Sequence, residues 1–223
     1  MNCINCNFKS PATKFLSTNE IEELSNNCAH VEFKKNEKIF KESSFSSNIV
    51  YLKSGLVKVH ILGPRSEQIT KITKPLAFLG LPTTFSEKIN KYSATALEDS
   101  SVCFIDLELF KHFIYNNGVF AYQIITELCK NEINSFFRCL NRTQKQINGR
   151  VADALLFFYN DIYEKKDFII PLSREEFGNY IDTTRESVSR VLTELQKDGL
   201  IKINDKKIKI LKEETLKEIS EKG

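Results

Sequence analysis

The sequence has few glycines, few prolines and no long apolar run. Glycine and proline occupy 8 and 5 of 223 positions and apolar residues make up 41%, which excludes a collagen-like or disordered chain. No segment approaches the roughly 18 consecutive apolar residues of a membrane-spanning helix. Residues 1–15 also lack the apolar segment of a secretory signal. We therefore expect one large or two modest globular domains in the cytoplasm, with no membrane partner.

Residues for the common catalytic sites are equally scarce. The three histidines, His30, His60 and His112, have no helical ligand spacing, which excludes HExxH-type zinc enzymes. The chain has no GxSxG elbow, no phosphate-binding loop and no nucleophile–base signature. We predict that the protein is not an enzyme, and that the isolated histidines are structural.

Charge and cysteine content give only general expectations. The 32 basic and 29 acidic residues leave a net charge of +3, too small to indicate a nucleic-acid partner by itself. Six cysteines without an export signal predict reduced thiols rather than disulfides. A nucleic-acid partner therefore has to be argued from local clusters of charge.

The hydrophobic pattern changes twice along the chain. Residues 17–28 predict a helix capped by Ser17 or Thr18. From residue 31 to about 106, short β-branched and aromatic runs alternate with turn signals, which favours a small antiparallel barrel or sandwich. After Leu107 the pattern becomes helical, and we place a domain boundary near Gly149, which we expect to interrupt the helix.

The segment 119–147 predicts one long helix with two apolar stripes. At 1.5 Å per residue it spans about 40 Å, more than a small barrel covers. One stripe can pack on the barrel and the other on a second chain, as in a coiled coil; the alternative is a long helix inside a single large domain. The first stripe is Ile125, Cys129, Ile133, Phe136 and Leu140, and the second is Ala121, Ile124, Leu128 and Cys139.

Residues 172–192 predict a helix-turn-helix. Ser173 and Glu176 form a capping box that starts one short helix, and Thr183 or Thr184 caps a second. The second helix has a predicted buried face of Val188, Val191, Leu192 and Leu195, and an exposed face of Arg185, Glu186, Ser189 and Arg190. Arginine can bind guanine and glutamate can accept from cytosine, and we expect Glu186 to orient Arg190 four residues on.

A basic hairpin follows the second helix. Residues 199–210 alternate apolar and polar about an Asn204-Asp205 turn, which predicts the wing of a winged helix. Residues 183–212 carry 8 basic and 4 acidic side chains, whereas residues 150–182 carry 4 and 7. The positive charge therefore falls where phosphate contacts are needed. The alternative is a winged helix that contacts protein, attached to a barrel that binds a small molecule or a metal.

These segments resemble the Crp–Fnr family of bacterial transcription regulators over nearly the whole chain. Residues 184–190, Thr-Arg-Glu-Ser-Val-Ser-Arg, are close to the family's recognition-helix pattern; residues 35–40, 52–59, 94–100 and 149–152 resemble its barrel turn, hairpin, strand and hinge. The resemblance implies an α+β fold: an antiparallel β jelly-roll or barrel (1–117), a dimerisation helix (118–148) and a winged helix-turn-helix (149–223). It implies a homodimer that binds double-stranded promoter DNA and RNA polymerase, with half-sites containing TGA. The implied DNA-binding residues are Ser173, Thr184, Arg185, Glu186, Ser189, Arg190, Lys206 and Lys207.

The resemblance gives two expectations for the sensor domain. Cyclic-nucleotide binders of the family use a Gly-Glu pair and an Arg-(Ser/Thr)-Ala; here Leu81 follows Gly80 and Tyr92 precedes Ser93, so we do not expect cyclic AMP to bind. The oxygen-sensing branch holds an iron–sulfur cluster, for which Cys3, Cys6, Cys28 and Cys103 are the candidate ligands here. The branch's third N-terminal ligand falls on Ala12, so Cys28 would have to replace it. Alternatively, Cys3 and Cys6 lie on a mobile arm while Cys28, Cys103, Cys129 and Cys139 are small buried side chains.

Overall fold

The computed structural model describes residue 3 and residues 6–223. They form two compact units: residues up to Pro64 with Thr70–Glu132, and Arg65–Ile69 with Ile133–Gly223. In the described part of the chain, no helix is both long and apolar enough to cross a membrane.

Eight strands build two four-stranded antiparallel sheets, as the period-two pattern predicts. The strands are β1 (Cys28–Phe33), β2 (Lys38–Phe40), β3 (Asn48–Ser54), β4 (Val57–Leu62), β5 (Glu67–Thr73), β6 (Ala77–Leu79), β7 (Ser93–Ala96) and β8 (Ser100–Asp106). One sheet has the order β1-β8-β3-β6 and the other β2-β7-β4-β5. Apolar side chains of both sheets, such as Leu52 and Val57, are fully buried in one shared cluster, so the sheets form a sandwich.

The other face of the first sheet is covered by helices. These are α1 (Thr18–Asn26), α3 (Leu107–Asn116) and the first part of α4 (Gly118–Gln144); the short α2 (Leu81–Phe85) follows β6. The predicted capping box starts α1: Ser17 Oγ accepts from the Glu20 amide at 3.3 Å and Glu20 accepts from the Ser17 amide at 2.7 Å. Phe110, Phe113 and Phe120 pack edge to face in this layer.

Helix α4 separates the two predicted stripes. Ile124 is buried and Leu128 packs against the helical layer, whereas most of the first stripe is exposed. Ile125, Ile133, Phe136 and Leu140 are between 44% and 63% exposed. The expectation that Cys129 and Cys139 are buried is wrong, since both are exposed.

The predicted helix break at Gly149 is wrong. Helix α4 ends at Gln144, and α5 (Ile147–Phe157) already includes Gly149. A Cβ at this position would lie 2.8 Å from the carbonyl carbon of Gly223. The glycine thus permits close approach of the C-terminus rather than ending a helix.

The C-terminal region adopts the predicted winged helix. After α5 come a π-helical turn (Phe158–Tyr163), β9 (Asp167–Ile169), α6 (Arg174–Ile181), α7 (Arg185–Lys197), β10 (Ile201–Asn204), β11 (Lys207–Ile210) and α8 (Glu213–Lys222). The hairpin β10–β11 pairs in register from Ile201–Ile210 to Asn204–Lys207, and β9 adds a third strand. Phe158, Phe177 and Val188 are fully buried in the core of this region.

Candidate DNA interface and cysteine–histidine site

Local hydrogen bonds fix both helices of the helix-turn-helix. Ser173 Oγ accepts from the Glu176 amide at 3.1 Å, and Glu176 accepts from the Ser173 amide at 2.8 Å, which confirms the capping box. Thr184 Oγ1 accepts from the Ser187 amide at 3.2 Å and caps α7. Both helix starts are therefore set by side chains that the sequence identified.

The turn between the helices has little spare room. Asp182 adopts a left-handed conformation with φ 61°, and a Cβ on Gly178 would lie only 2.6 Å from the Thr183 carbonyl oxygen. Arg150 of α5 closes the turn, since its Nη1 donates to the carbonyls of Ile181 and Asp182, each at 2.8 Å. Sequence reasoning assigned Arg150 only to a hinge, because its partners lie more than 30 residues away.

Helix α7 presents the predicted polar face to solvent. Arg185, Glu186, Ser189 and Arg190 are exposed, while Val188, Val191, Leu192 and Leu195 are buried. The backbone amide at the helix start and Thr184 hold the pKa of Glu186 below its usual range, so its carboxylate stays a charged acceptor. The outward face thus combines two arginine donors with one acidic acceptor.

The expected pairing within this face is wrong in one detail. Arg190 Nη1 donates to Glu194 Oε1 at 3.3 Å, so Glu194, not Glu186, orients the guanidinium. Glu194 also lies four residues from Arg190, but on its C-terminal side, and the spacing alone does not choose between the two directions.

The wing carries the lysines that the sequence assigned to it. Asp205 takes φ 56° in the tight turn, and Lys206 and Lys207 follow it with exposed side chains. Lys207 Nζ lies 3.0 Å from the Asp167 carboxylate, which ties that lysine to β9.

In the N-terminal unit, the two positions that differ from cyclic-nucleotide binders lie in apolar surroundings. Leu81 is buried in the helical layer, and the Tyr92 ring packs on Phe40 with centroids 5.9 Å apart. Ser93 Oγ accepts from the Glu42 amide at 2.9 Å.

The structure brings the predicted cysteines together around a histidine. Cys3 Sγ lies 3.5 Å from Cys28 Sγ, and Cys28 Sγ lies 3.6 Å from Nε2 of His30. Cys103 Sγ lies 3.2 Å from Nδ1 of the same ring, and Cys6 lines the same cavity. The prediction that His30 is isolated is therefore wrong. Nε2 of His60 lies 2.8 Å from Thr95 Oγ1, and Nδ1 of His112 lies 3.1 Å from Asn116 Nδ2.

Hydrogen bonding and burial separate the pKa values of the thiols. The hydrogen bond from Cys28 lowers the pKa of Cys3 to about 6, while the same contact and burial raise the pKa of Cys28. Burial raises the pKa of Cys103 to about 12. Without a bound cation, Cys3 is thus the preferred thiolate of the group.

Comparison with known proteins gives two family matches and several relatives. A cyclic nucleotide-binding domain matches residues 30–117, and a Crp-like helix-turn-helix domain matches residues 149–219. The transcriptional activator FnrA of Stutzerimonas stutzeri is 28% identical over 80% of this chain and 75% of its own length. The electron transport regulator A of Shewanella oneidensis is 26% identical over 95% of this chain and 87% of its own length.

Solved structures share the fold at lower identity. FixK2 from Bradyrhizobium japonicum superposes with a TM-score of 0.78 at 21% identity, over 86% of this chain and 96% of that protein. A CRP/FNR family regulator from Thermus thermophilus superposes with a TM-score of 0.69 at 21% identity, over 86% of this chain and 98% of that protein. The two family domains match on either side of α4, in the order that the family has, and the relatives match most of the chain. The protein is therefore a DNA-binding transcription regulator of the Crp–Fnr family.

Proposed function

We propose that the protein binds a palindromic promoter site as a homodimer, with α7 of each subunit in the major groove. The observation that carries this proposal is the exposed face of α7. It contains Arg185, Glu186, Ser189 and Arg190, and the opposite face of the helix is apolar and buried. Arginine donates to guanine O6 and N7, and glutamate accepts from cytosine N4. The hydrogen bonds of Ser173 and Thr184 fix the residues at which the two helices begin.

The wing supplies contacts to the DNA backbone that do not depend on the base sequence. Lys206 and Lys207 are exposed at the hairpin turn, and lysines there neutralise phosphates as counterions are released. Because Lys207 also pairs with Asp167, we expect Lys206 to contribute more to binding than Lys207.

Dimerisation is proposed through the exposed stripe of α4. Ile125, Cys129, Ile133, Phe136 and Leu140 follow one another at spacings of three or four residues, the pattern of a two-stranded coiled coil. To read half-sites one helical turn apart, the two α7 helices of such a dimer must lie about 34 Å apart.

The division of labour follows from these sites. We propose that residues 1–117 sense a signal, 118–148 dimerise and 149–223 bind DNA, and that the bound dimer acts on RNA polymerase in the cytoplasm. The match to an activator, FnrA, supports an effect on transcription at the promoter.

A binding experiment tests the proposal and its alternative of protein contact. A palindrome is selected from random DNA and its affinity is measured over a range of salt concentrations. We expect Arg190→Ala to cost about 1–3 kcal/mol on the selected site and to flatten the preference at one base pair. Lys206→Ala should weaken binding to all sequences and reduce the salt slope by about 1, whereas Lys222→Ala on α8 is the matched control.

The outcome separates the two functions. No selected palindrome, or no salt dependence of binding, would leave protein contact as the use of the winged helix. Unchanged affinity and preference in Arg190→Ala would show that α7 is not the reader. Glu194→Gln is the contrasting variant. It releases Arg190 from its ion pair with Glu194 and should not weaken DNA binding.

A further inference from the structure

The cysteine–histidine site joins two separate parts of the chain. Cys3 comes from the N-terminal segment, and Cys28 and His30 come from β1. One ligand atom of each lies within 4.8 Å of the other two, and the structure shows no other such group of three among its described residues. The distances therefore bear directly on what the group can hold.

Those distances match the edges of one small coordination sphere. Metal–sulfur bonds of about 2.3 Å and metal–nitrogen bonds of about 2.0 Å give tetrahedral edges of about 3.8 Å between sulfurs and 3.5 Å between sulfur and nitrogen. The observed edges are 3.5 Å for Cys3–Cys28 and 3.6 Å for Cys28–His30. A disulfide needs about 2.05 Å between sulfurs, which is far shorter.

The same distances disagree with a four-iron cluster. In such a cluster each cysteine binds a different iron, so an entire metal–sulfide core separates the cysteine sulfurs. Cys3 and Cys28 are too close for that core, and the His30 ring lies between Cys28 and Cys103. Cys3, Cys28 and Nε2 of His30 are thus close enough to bind one ion, whereas Cys103 lies at the other nitrogen of the ring.

We propose that Cys3, Cys6, Cys28 and Nε2 of His30 bind a single tetrahedral divalent ion of the zinc type, Zn²⁺ or Fe²⁺. Cys6 is assigned as the fourth ligand because it lines the same cavity and lies three residues from Cys3, the usual spacing of a zinc ligand pair. The backbone favours this, since the Cys6 amide donates to the Cys3 carbonyl at 3.3 Å and so keeps the two cysteines close.

Cys103 is then a positioning residue rather than a ligand. Its Sγ contacts Nδ1, the ring nitrogen that the metal does not use. A hydrogen bond from Nδ1–H to Cys103 fixes the tautomer that leaves the Nε2 lone pair for the ion, as outer-shell partners of ligating histidines commonly do.

The binding of an ion here would fasten the N-terminal segment to the sheet. Existing contacts already guide it: the Cys3 amide donates to Ser25 Oγ at 3.2 Å, and the Tyr51 hydroxyl donates to the Phe8 carbonyl at 2.9 Å. Because two of the four proposed ligands belong to that segment, its attachment should depend on the metal.

Metal analysis and cobalt titration of the full-length protein test the proposal. The protein is purified without oxygen, and its metal and sulfide content per chain is measured. The protein is then treated with a chelator and titrated with Co²⁺. We expect one zinc or iron per chain without sulfide, and one equivalent of Co²⁺ giving tetrahedral d–d bands with thiolate charge-transfer absorption. Zn²⁺ should displace it. Four irons with sulfide, a disulfide detected by mass, or octahedral cobalt would each overturn the proposal.

Single substitutions distinguish ligands from the positioning residue. Cys6→Ser and Cys28→Ser should each remove about one third of the charge-transfer absorption, and His30→Asn should shift the d–d bands. Cys103→Ser should keep the saturated spectrum but weaken cobalt binding about 10- to 100-fold. Cys139→Ser, an exposed cysteine of α4 outside the proposed dimer stripe, is the matched control. If Cys103→Ser loses absorption while Cys6→Ser does not, the assignment of the fourth ligand is wrong. Thermal unfolding of each variant shows that it is folded, and DNA affinity, measured separately, tests the proposed function.

Discussion

The exposed stripe of α4 makes a quantitative prediction about self-association. Phe136 is 63% exposed in the single chain, and Ile133, three residues earlier, is 52% exposed. Neither side chain is needed to complete the core of its own chain. A substitution on this stripe should therefore weaken the dimer and leave the fold of the subunit almost unchanged.

The structure sets the size of the effect for Phe136→Ala. Burying a whole phenylalanine side chain is worth about 1.5–3 kcal/mol, and 63% of it remains to be buried, which gives about 1–2 kcal/mol. A twofold dimer contains the residue twice, so the total is about 2–4 kcal/mol. This corresponds to a dimer dissociation constant raised about 30- to 700-fold.

Sedimentation velocity over a range of protein concentrations measures that constant. Ile133→Ala should act in the same direction, and Tyr115→Ala on α3, which removes an 81% exposed ring away from the stripe, is the control. Thermal unfolding extrapolated to low concentration should be nearly equal for all three variants. If Phe136→Ala and Ile133→Ala both dissociate at the wild-type concentration, α4 is not the dimer contact.

Three further outcomes test the fold and the sensor. Gly178→Ala places a Cβ 2.6 Å from the Thr183 carbonyl oxygen and should cost about 1–3 kcal/mol in chemical unfolding, whereas Gly118→Ala, with open space around it, should not destabilise the chain. Arg150→Met removes two hydrogen bonds to carbonyls at the helix-turn-helix and should cost about 1.5–3 kcal/mol in the same assay; wild-type stability would refute its role. Cyclic AMP at millimolar concentration should not raise the melting temperature, and a clear rise would mean that Leu81 and Tyr92 do not prevent binding.

The parts of the site that depend on neighbouring residues were predictable from sequence. A capping box involves only two residues three positions apart, so Ser173 and Glu176 were enough to predict the start of α6. The buried face of α7 and the hairpin turn at Asp205 follow from periods of 3.6 and 2. Local rules therefore located the proposed DNA-reading helix and the wing without any tertiary information.

Features that depend on distant residues were not predictable in the same way. His30 and Cys103 are 73 positions apart and meet because β1 pairs with β8, a register that hydropathy does not specify. Arg150 and Gly149 owe their roles to Asp182 and Gly223, which only the folded chain brings near. The choice of Glu194 over Glu186 by Arg190 is local, but both directions satisfy the four-residue rule.

The proposed metal site and the proposed dimer helix share one apolar cluster. Cys103, Phe120 and Ile124 are buried together on the helical face of the first sheet, and Cys3 and Cys28 pack against the same cluster. Phe120 and Ile124 belong to α4, so this helix is in contact with the layer that surrounds the thiols. A close-packed cluster transmits a change of ligand geometry only if it has two discrete packings. Loss of the proposed ion would release Cys3 and Cys6 from the site, and α4 is one of the elements that would meet the altered packing, because Phe120 and Ile124 belong to the same cluster. The inward face of α4 therefore contacts the cluster that contains the proposed metal site, while its outward face carries the proposed dimer contact.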